Sequence, residues 1–284
     1  MSLRVTFDTN VLDLACRPER FPKDHRQPHL NKVREALIAK RIIGFYPVTM
    51  LTIEGVMNKD RIDVYSGTRM LPKEEVVTIT KNADLPEDIR DLVGTGDVET
   101  INIEYQVSQP NRQPLHPEVI ARINTAHSLG VKPLKAVPRI GGFQITDPNH
   151  SYYYNNGDSQ WTTKAHEIGR QIEQRGVGYA QVKAWGQKLG LNDPEAIWYE
   201  ALRNAKDIHE RRAIERAFSE WADGDAITSH ITYGTDLDVF CSADVGNTNT
   251  THSILDPVNR TWLTQTFGVT FITFDELLAY VERI

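Results

Sequence analysis

Leu3-Arg4-Val5-Thr6-Phe7-Asp8-Thr9-Asn10 reads as a short buried strand that carries one carboxylate at its tip, with small polar groups behind it to hold that carboxylate in place. Far downstream Leu237-Asp238-Val239-Phe240-Cys241-Ser242 repeats the arrangement and leads directly into Asp244. In an open parallel sheet both acids arrive at the carboxyl edge, where such sheets place their ligands. Two carboxylates in one crevice repel each other unless a cation lies between them. The pattern therefore predicts a divalent-metal site.

Working outward, residues 11–15 open a helix and residues 30–40 have helical spacing. Residues 41–46 form a second strand, and residues 49–57 return to a helical pattern that carries Glu54. The C-terminal part has the same rhythm. Residues 194–221 read as one long or two successive helices, and Asp225 opens a further helical segment with an acid at its N-terminus. A helix over 257–267 with Gly268 as its C-cap follows, then a strand over 269–272 and a helix over 275–282. Strands alternating with helices predict an α/β fold with a parallel sheet and crossover connections. The middle, 61–193, has a different texture. Strands at 76–80 and 101–107, a helix at 117–127 and turn-rich stretches such as 94–97 read as an inserted α+β subdomain between 1–60 and 194–284.

At 284 residues, 25% charged and 40% hydrophobic, the composition is that of a globular protein able to bury a core. No apolar run is long enough for a membrane span, and the N-terminus does not read as a signal peptide. Cys16 and Cys241 lack metal or disulfide spacing, so a cytosolic, reducing setting is the expectation. The net charge of −6 excludes a strong passive binder of nucleic acid, so a polyanion would need local basic patches and metal ions.

Four acids recur in matching local contexts: Asp8 after the first strand, Glu54 after the second, Asp225 and Asp244. Singly, Glu54 reads equally as a surface acid and Asp225 as an N-cap. Jointly, Val5–Leu12, Tyr46–Glu54, Gly224–His230, Val239–Asp244 and Gly268–Leu278 resemble the PIN-domain family of metal-dependent nucleases over about 1–60 and 195–284, a little over half of the chain. The resemblance implies a three-layer α/β/α, Rossmann-like core. It implies that Asp8, Glu54, Asp225 and Asp244 bind Mg²⁺ or Mn²⁺, with Asn10 orienting Asp8 and Ser242 in the small hydroxyl position before the last acid. Thr9 completes the polar support. Hard cations prefer carboxylate oxygen, and one or two can activate water against a phosphodiester. The implied activity is hydrolysis of RNA, leaving 3′-hydroxyl and 5′-phosphate ends.

Arg17, Arg20, Lys23 and Arg26 follow the first motif closely enough to grip phosphates, although a solvated loop explains them as well. Tyr152, Tyr153, Tyr154 and Trp161 suit either base stacking or packing. No nucleophile elbow, phosphate-binding loop or zinc-protease helix is present. Two other readings stay open: a silent PIN-like module that binds RNA or a protein, and a phosphohydrolase of small esters. The partners expected are nucleic acid, with RNA preferred by resemblance, and a second copy of the chain left open; no membrane is expected.

Overall fold

The computed structural model describes residues 2–81, 98–155, 159–191, 197–244 and 253–283. Among them are seven strands: β1 (Leu3–Phe7), β2 (Ile42–Pro47), β3 (Arg69–Thr80), β4 (Val98–Ser108), β5 (Lys132–Leu134), β6 (Val239–Cys241) and β7 (Phe271–Ile272). Five of these make one parallel sheet in the order β5-β2-β1-β6-β7, while β3 and β4 form an antiparallel pair of their own. Eleven α-helices accompany them: α1 (Thr9–Cys16), α2 (Gln27–Ile38), α3 (Thr49–Thr52), α4 (Asn58–Ser66), α5 (Pro117–Ser128), α6 (Ser159–Gln174), α7 (Tyr179–Leu189), α8 (Trp198–Ala201), α9 (Ile208–Tyr233), α10 (Pro257–Phe267) and α11 (Phe274–Val281).

The two-residue period of a strand divides the core into two layers. Val5, Phe7, Tyr46, Val239 and Cys241 meet Val11 and Leu12 of α1, Leu30 and Val33 of α2, and Leu277 of α11 on one face. Phe240 meets Ile227 and Ile231 of α9, Ile168 of α6 and Leu263 of α10 on the other. The hydroxyl of Thr6, also on that second face, lies 2.8 Å from Nδ1 of buried His230. The chain steps from β1 to β2 to β5 in one direction, with α1, α2 and α5 on the first face. It then returns to the other side of β1 for β6 and β7, with α10 on the second face. Crossovers of one hand require this exchange of faces when the direction of travel reverses. The reversal falls between β1 and β6, and it is at the carboxyl ends of the strands at such a switch that open α/β sheets place their ligands.

Three expectations change. The span 61–193 does not stand apart from the core. β5 pairs with β2, Ile123 and Ala126 of α5 are buried with α1 and α2, and α6 packs under the sheet. The separate element within that span is the β3–β4 hairpin. The helix expected over 49–57 ends at Thr52, so Glu54 lies in a turn. Arg112 donates to the carbonyls of Leu51 and Thr52 at 2.6 and 3.1 Å, and the Tyr65 hydroxyl also reaches Thr52 at 2.8 Å. Those two oxygens are thereby taken by side chains rather than by a further helical turn. Finally, Asp225 does not begin a helix. It lies deep within α9, whose N-terminus is capped by Asp207 accepting from the amides of His209 and Glu210. Gly224 lies mid-helix at a close approach, where a Cβ would come 2.8 Å from Cα of Gly178. Residues 94–97 lie outside the described residues. No helix among the described residues is long and apolar enough to cross a membrane.

Candidate functional site

Asp8 follows β1 directly and caps α1, its Oδ1 accepting the Thr9 amide at 2.7 Å. Its Oδ2 accepts the hydroxyl of Ser242 at 2.6 Å. Ser242, fully buried after β6, also receives the Asp244 amide at 3.0 Å and the Asn10 side-chain amide at 3.4 Å. Asn10 in turn accepts the Ala243 amide at 3.1 Å. One hydroxyl therefore links the tip of β1 to the chain leaving β6, and the Asn10 side chain bonds to it as well. On the β2 side the Thr9 hydroxyl donates to Glu54. Thr9, Asn10 and Ser242 thus each hydrogen-bond beside these carboxylates.

On α9 it is Asp223, rather than Asp225, that lies in the electrostatic field of Asp8 and Glu54. Burial pushes the Asp223 carboxyl well above its ordinary value, and the negative charges of Asp8, Glu54, Glu220 and Asp244 push it further. Burial raises Glu54 in the same way, with the charge of Asp8 adding and the Thr9 hydrogen bond opposing. Asp8 is raised by burial, pulled back by Ser242 and Thr9, and raised again by Asp244. Glu54 and Asp223 keep some solvent access while protein surrounds the rest of each side chain. Asp8, Glu54, Asp223 and Asp244 thus share one electrostatic environment at the β1/β6 switch, with Glu220 behind Asp223. Among the described residues, no Lys or Arg forms an ion pair with Asp8, Glu54 or Asp223.

Asp225 is held elsewhere. Its Oδ1 accepts from Arg139 at 2.8 and 3.1 Å, and its Oδ2 from Trp221 Nε1 at 2.8 Å. Two residues along a helix turn a side chain by about 200°, so Asp223 and Asp225 leave α9 on opposite sides. A signal for this was present in the sequence. Ile214, Phe218, Trp221 and Asp225 fall on one helical stripe, whereas Asp223 aligns with Glu220.

The basic loop is largely spoken for. Arg17 pairs with Asp13 and Glu118, Arg20 with Glu118, and Arg26 with Asp24 and Asp275, while Lys23 is exposed. Tyr153 and Trp161 are buried in packing.

All four acids present hard oxygen, which suits a Mg²⁺-like ion. Among the described residues, however, no three His, Cys, Asp or Glu side chains converge closely enough to hold a metal as they stand. Thr9 engages one oxygen of Glu54 and Ser242 one oxygen of Asp8, so rotation of these carboxylates would have to accompany binding. Comparison with protein-family models, with curated proteins and with solved structures gives no match.

Proposed function

We propose that the chain is a divalent-metal-dependent nuclease with a PIN-like core that hydrolyses RNA phosphodiester bonds. The observation that supports this reading is that Asp8, Glu54 and Asp223 are each raised by burial and by the charge of neighbouring acids at the topological switch point. A protein gains nothing in stability by gathering buried like charges, and a bound cation would offset the cost. The fold class alone is compatible with many activities, so the proposal rests on the site and on the sequence resemblance.

In this reading Asp8, Glu54, Asp223 and Asp244 hold Mg²⁺ or Mn²⁺, with Asp223 taking the part first expected of Asp225. The bound ion would supply an activated water and neutralise charge on the phosphate. Ser242 and Asn10 fix the relative positions of Asp8 and the Asp244 segment. Thr9 holds Glu54 ready on the β2 side. Preference for RNA comes from the resemblance. The free, buried Cys16 and Cys241 suit a reducing compartment.

The test is cleavage of a single-stranded RNA in Mn²⁺ by the wild type, Asp8→Asn and Asp223→Asn. Loss of activity in both variants supports the proposal. An inactive wild type that still binds RNA favours a silent binding module. Hydrolysis of small phosphate esters without RNA cleavage favours the phosphohydrolase reading.

A further inference from the structure

Glu54 lies in the turn before α4 and Asp223 on α9, and one side chain ties those two elements together. The helices share a core cluster that includes Ile62, Val64 and Tyr65 of α4 and Ile214, Phe218 and Trp221 of α9. Arg61, the fourth residue of α4, is 5% exposed. Helical side chains lean toward the N-terminus of their helix, so a residue of the first turn overhangs the chain that enters it. Here that chain is the Glu54 turn. Arg61 Nε donates to the Val56 carbonyl at 3.1 Å, two residues beyond Glu54. Its Nη1 donates to the Ser219 hydroxyl at 3.2 Å, four residues before Asp223. Residues four apart share a helix face, so Ser219 and Asp223 leave α9 on the same side.

The other end of the turn is gripped as well, by Arg112 at the carbonyls of Leu51 and Thr52. The turn between these grips is tight, since a Cβ on Gly55 would come 2.6 Å from the Leu51 carbonyl oxygen. Arg112 thus fixes where the turn begins, and Arg61 fixes where it ends and how it stands against α9. The hydrogen bonds of Arg61 finish on a carbonyl and a hydroxyl, not on Glu54 or Asp223. Its charge is felt all the same. Burial works against the guanidinium, while Glu54 first, then Tyr65, Glu215 and Asp223, favour its charged form. Burial and Asp8 raise the Glu54 carboxyl, and Arg61 is among the groups that oppose them.

We propose that Arg61 is a positioning residue of this site, a strut from Val56 to Ser219 that sets the spacing of Glu54 and Asp223 for a divalent cation. A guanidinium holds its donors in one rigid plane and serves two acceptors in different directions at once. An ammonium on a flexible stem cannot reproduce that geometry. Because the strut bonds to the supports of the acids, it offsets part of their repulsion without engaging the oxygens themselves. Groups that orient ligands in this indirect way change metal affinity by roughly 10–100-fold. The inference rests on the metal-dependent nuclease reading and deepens it by assigning what holds two of its acids in place.

The experiment titrates Mn²⁺ into wild type, Arg61→Lys and Ser219→Ala by calorimetry, with urea unfolding in EDTA and cleavage of single-stranded RNA measured alongside. Ser219→Ala keeps the Arg61 charge and removes only the α9 end of the strut. Arg61→Lys keeps the charge and loses the planar fork. Both variants are expected to fold and to bind Mn²⁺ about tenfold more weakly, with kcat returning to the wild-type value at saturating Mn²⁺. A residue that served packing alone would lower the urea midpoint and leave Mn²⁺ affinity unchanged. Wild-type or tighter affinity in a folded Ser219→Ala therefore overturns the strut, and the nuclease reading survives it if the wild type still cuts and Asp8→Asn does not. Should Arg61→Lys not fold, Ser219→Ala decides alone. A wild type that binds Mn²⁺ without cutting RNA, with affinity weakened in Ser219→Ala, leaves the strut standing and removes the nuclease. A wild type that binds no Mn²⁺ removes both.

Discussion

Asp223 and Asp225 sit two residues apart on α9 and are turned to opposite fates. Asp225 is locked to Arg139 at 2.8 Å, and Asp223 faces the combined charge of Asp8 and Glu54. The same substitution at the two positions should therefore act oppositely. Asp225→Asn leaves Glu173 as the one carboxylate paired with the buried guanidinium of Arg139 among the described residues and should destabilise the fold by about 2 kcal/mol. Asp223→Asn removes a like charge and should leave the metal-free protein as stable as the wild type or more so, while abolishing Mn²⁺-dependent cleavage. Chemical denaturation in EDTA, together with an activity assay, checks both. Equal loss of stability in the two variants would contradict the assignment.

The raised acids set a pH dependence whose sign is fixed. A carboxyl whose folded value lies above its unfolded value, about 4, binds more protons folded than unfolded. Stability from Asp8, Glu54 and Asp223 therefore falls as pH climbs from about 4 through their raised values. Mn²⁺ should reverse that loss. The melting temperature is expected to rise more on adding Mn²⁺ at pH 8 than at pH 5, and an equal rise at both would count against metal binding by these acids.

His230 acts in the opposite sense. It is buried against Thr6, and burial pulls its imidazole down to about 4. Its contribution is complete above the unfolded value of about 6.5 and is lost as pH falls from there toward 4. The loss is of order 3 kcal/mol. His230→Gln should flatten the acid side of the stability profile measured by urea unfolding between pH 7 and pH 4.

Ser242 joins Asp8 and the Asp244 segment through a single oxygen. Ser242→Ala should weaken Mn²⁺ affinity by roughly 10–100-fold, the usual effect of removing a group that orients a ligand. Isothermal titration with Mn²⁺ measures it, and unchanged affinity would show that Ser242 serves packing alone.

Arg20 and Arg26 are ion-paired within the protein, to Glu118 and to Asp24 and Asp275. Arg20→Ala and Arg26→Ala should leave the salt dependence of RNA binding as in the wild type, with stability changes of about 1 kcal/mol or less for such exposed pairs. A shallower salt slope in either variant would return the basic loop to the substrate path.

Local sequence carried much of this molecule. β1, β2, β6, α2, α10 with its Gly268 cap, and α11 follow from apolar spacing and capping chemistry, because those signals act within a few residues. So do the strand-tip positions of Asp8 and Asp244 and the small polar groups beside them. The end of α3 at Thr52 could not be read in this way. It depends on Arg112, about sixty residues away, reaching two carbonyls. The membership of β5 in the main sheet depends on its partner β2, and three residues carry too little pattern to announce that pairing.

What the chain determined by itself was the order of strands and helices and the two acids at strand tips, since periodicity and turn chemistry are local. Which acid of α9 lies in the field of Asp8 and Glu54 was decided only when the helix docked. Arg139 and Trp221 claimed Asp225 for the interior, and the rotation of a rigid helix then left Asp223 facing Asp8. A helix has one orientation against its sheet, fixed by the burial of its whole apolar stripe, and no pair of neighbouring residues can choose it.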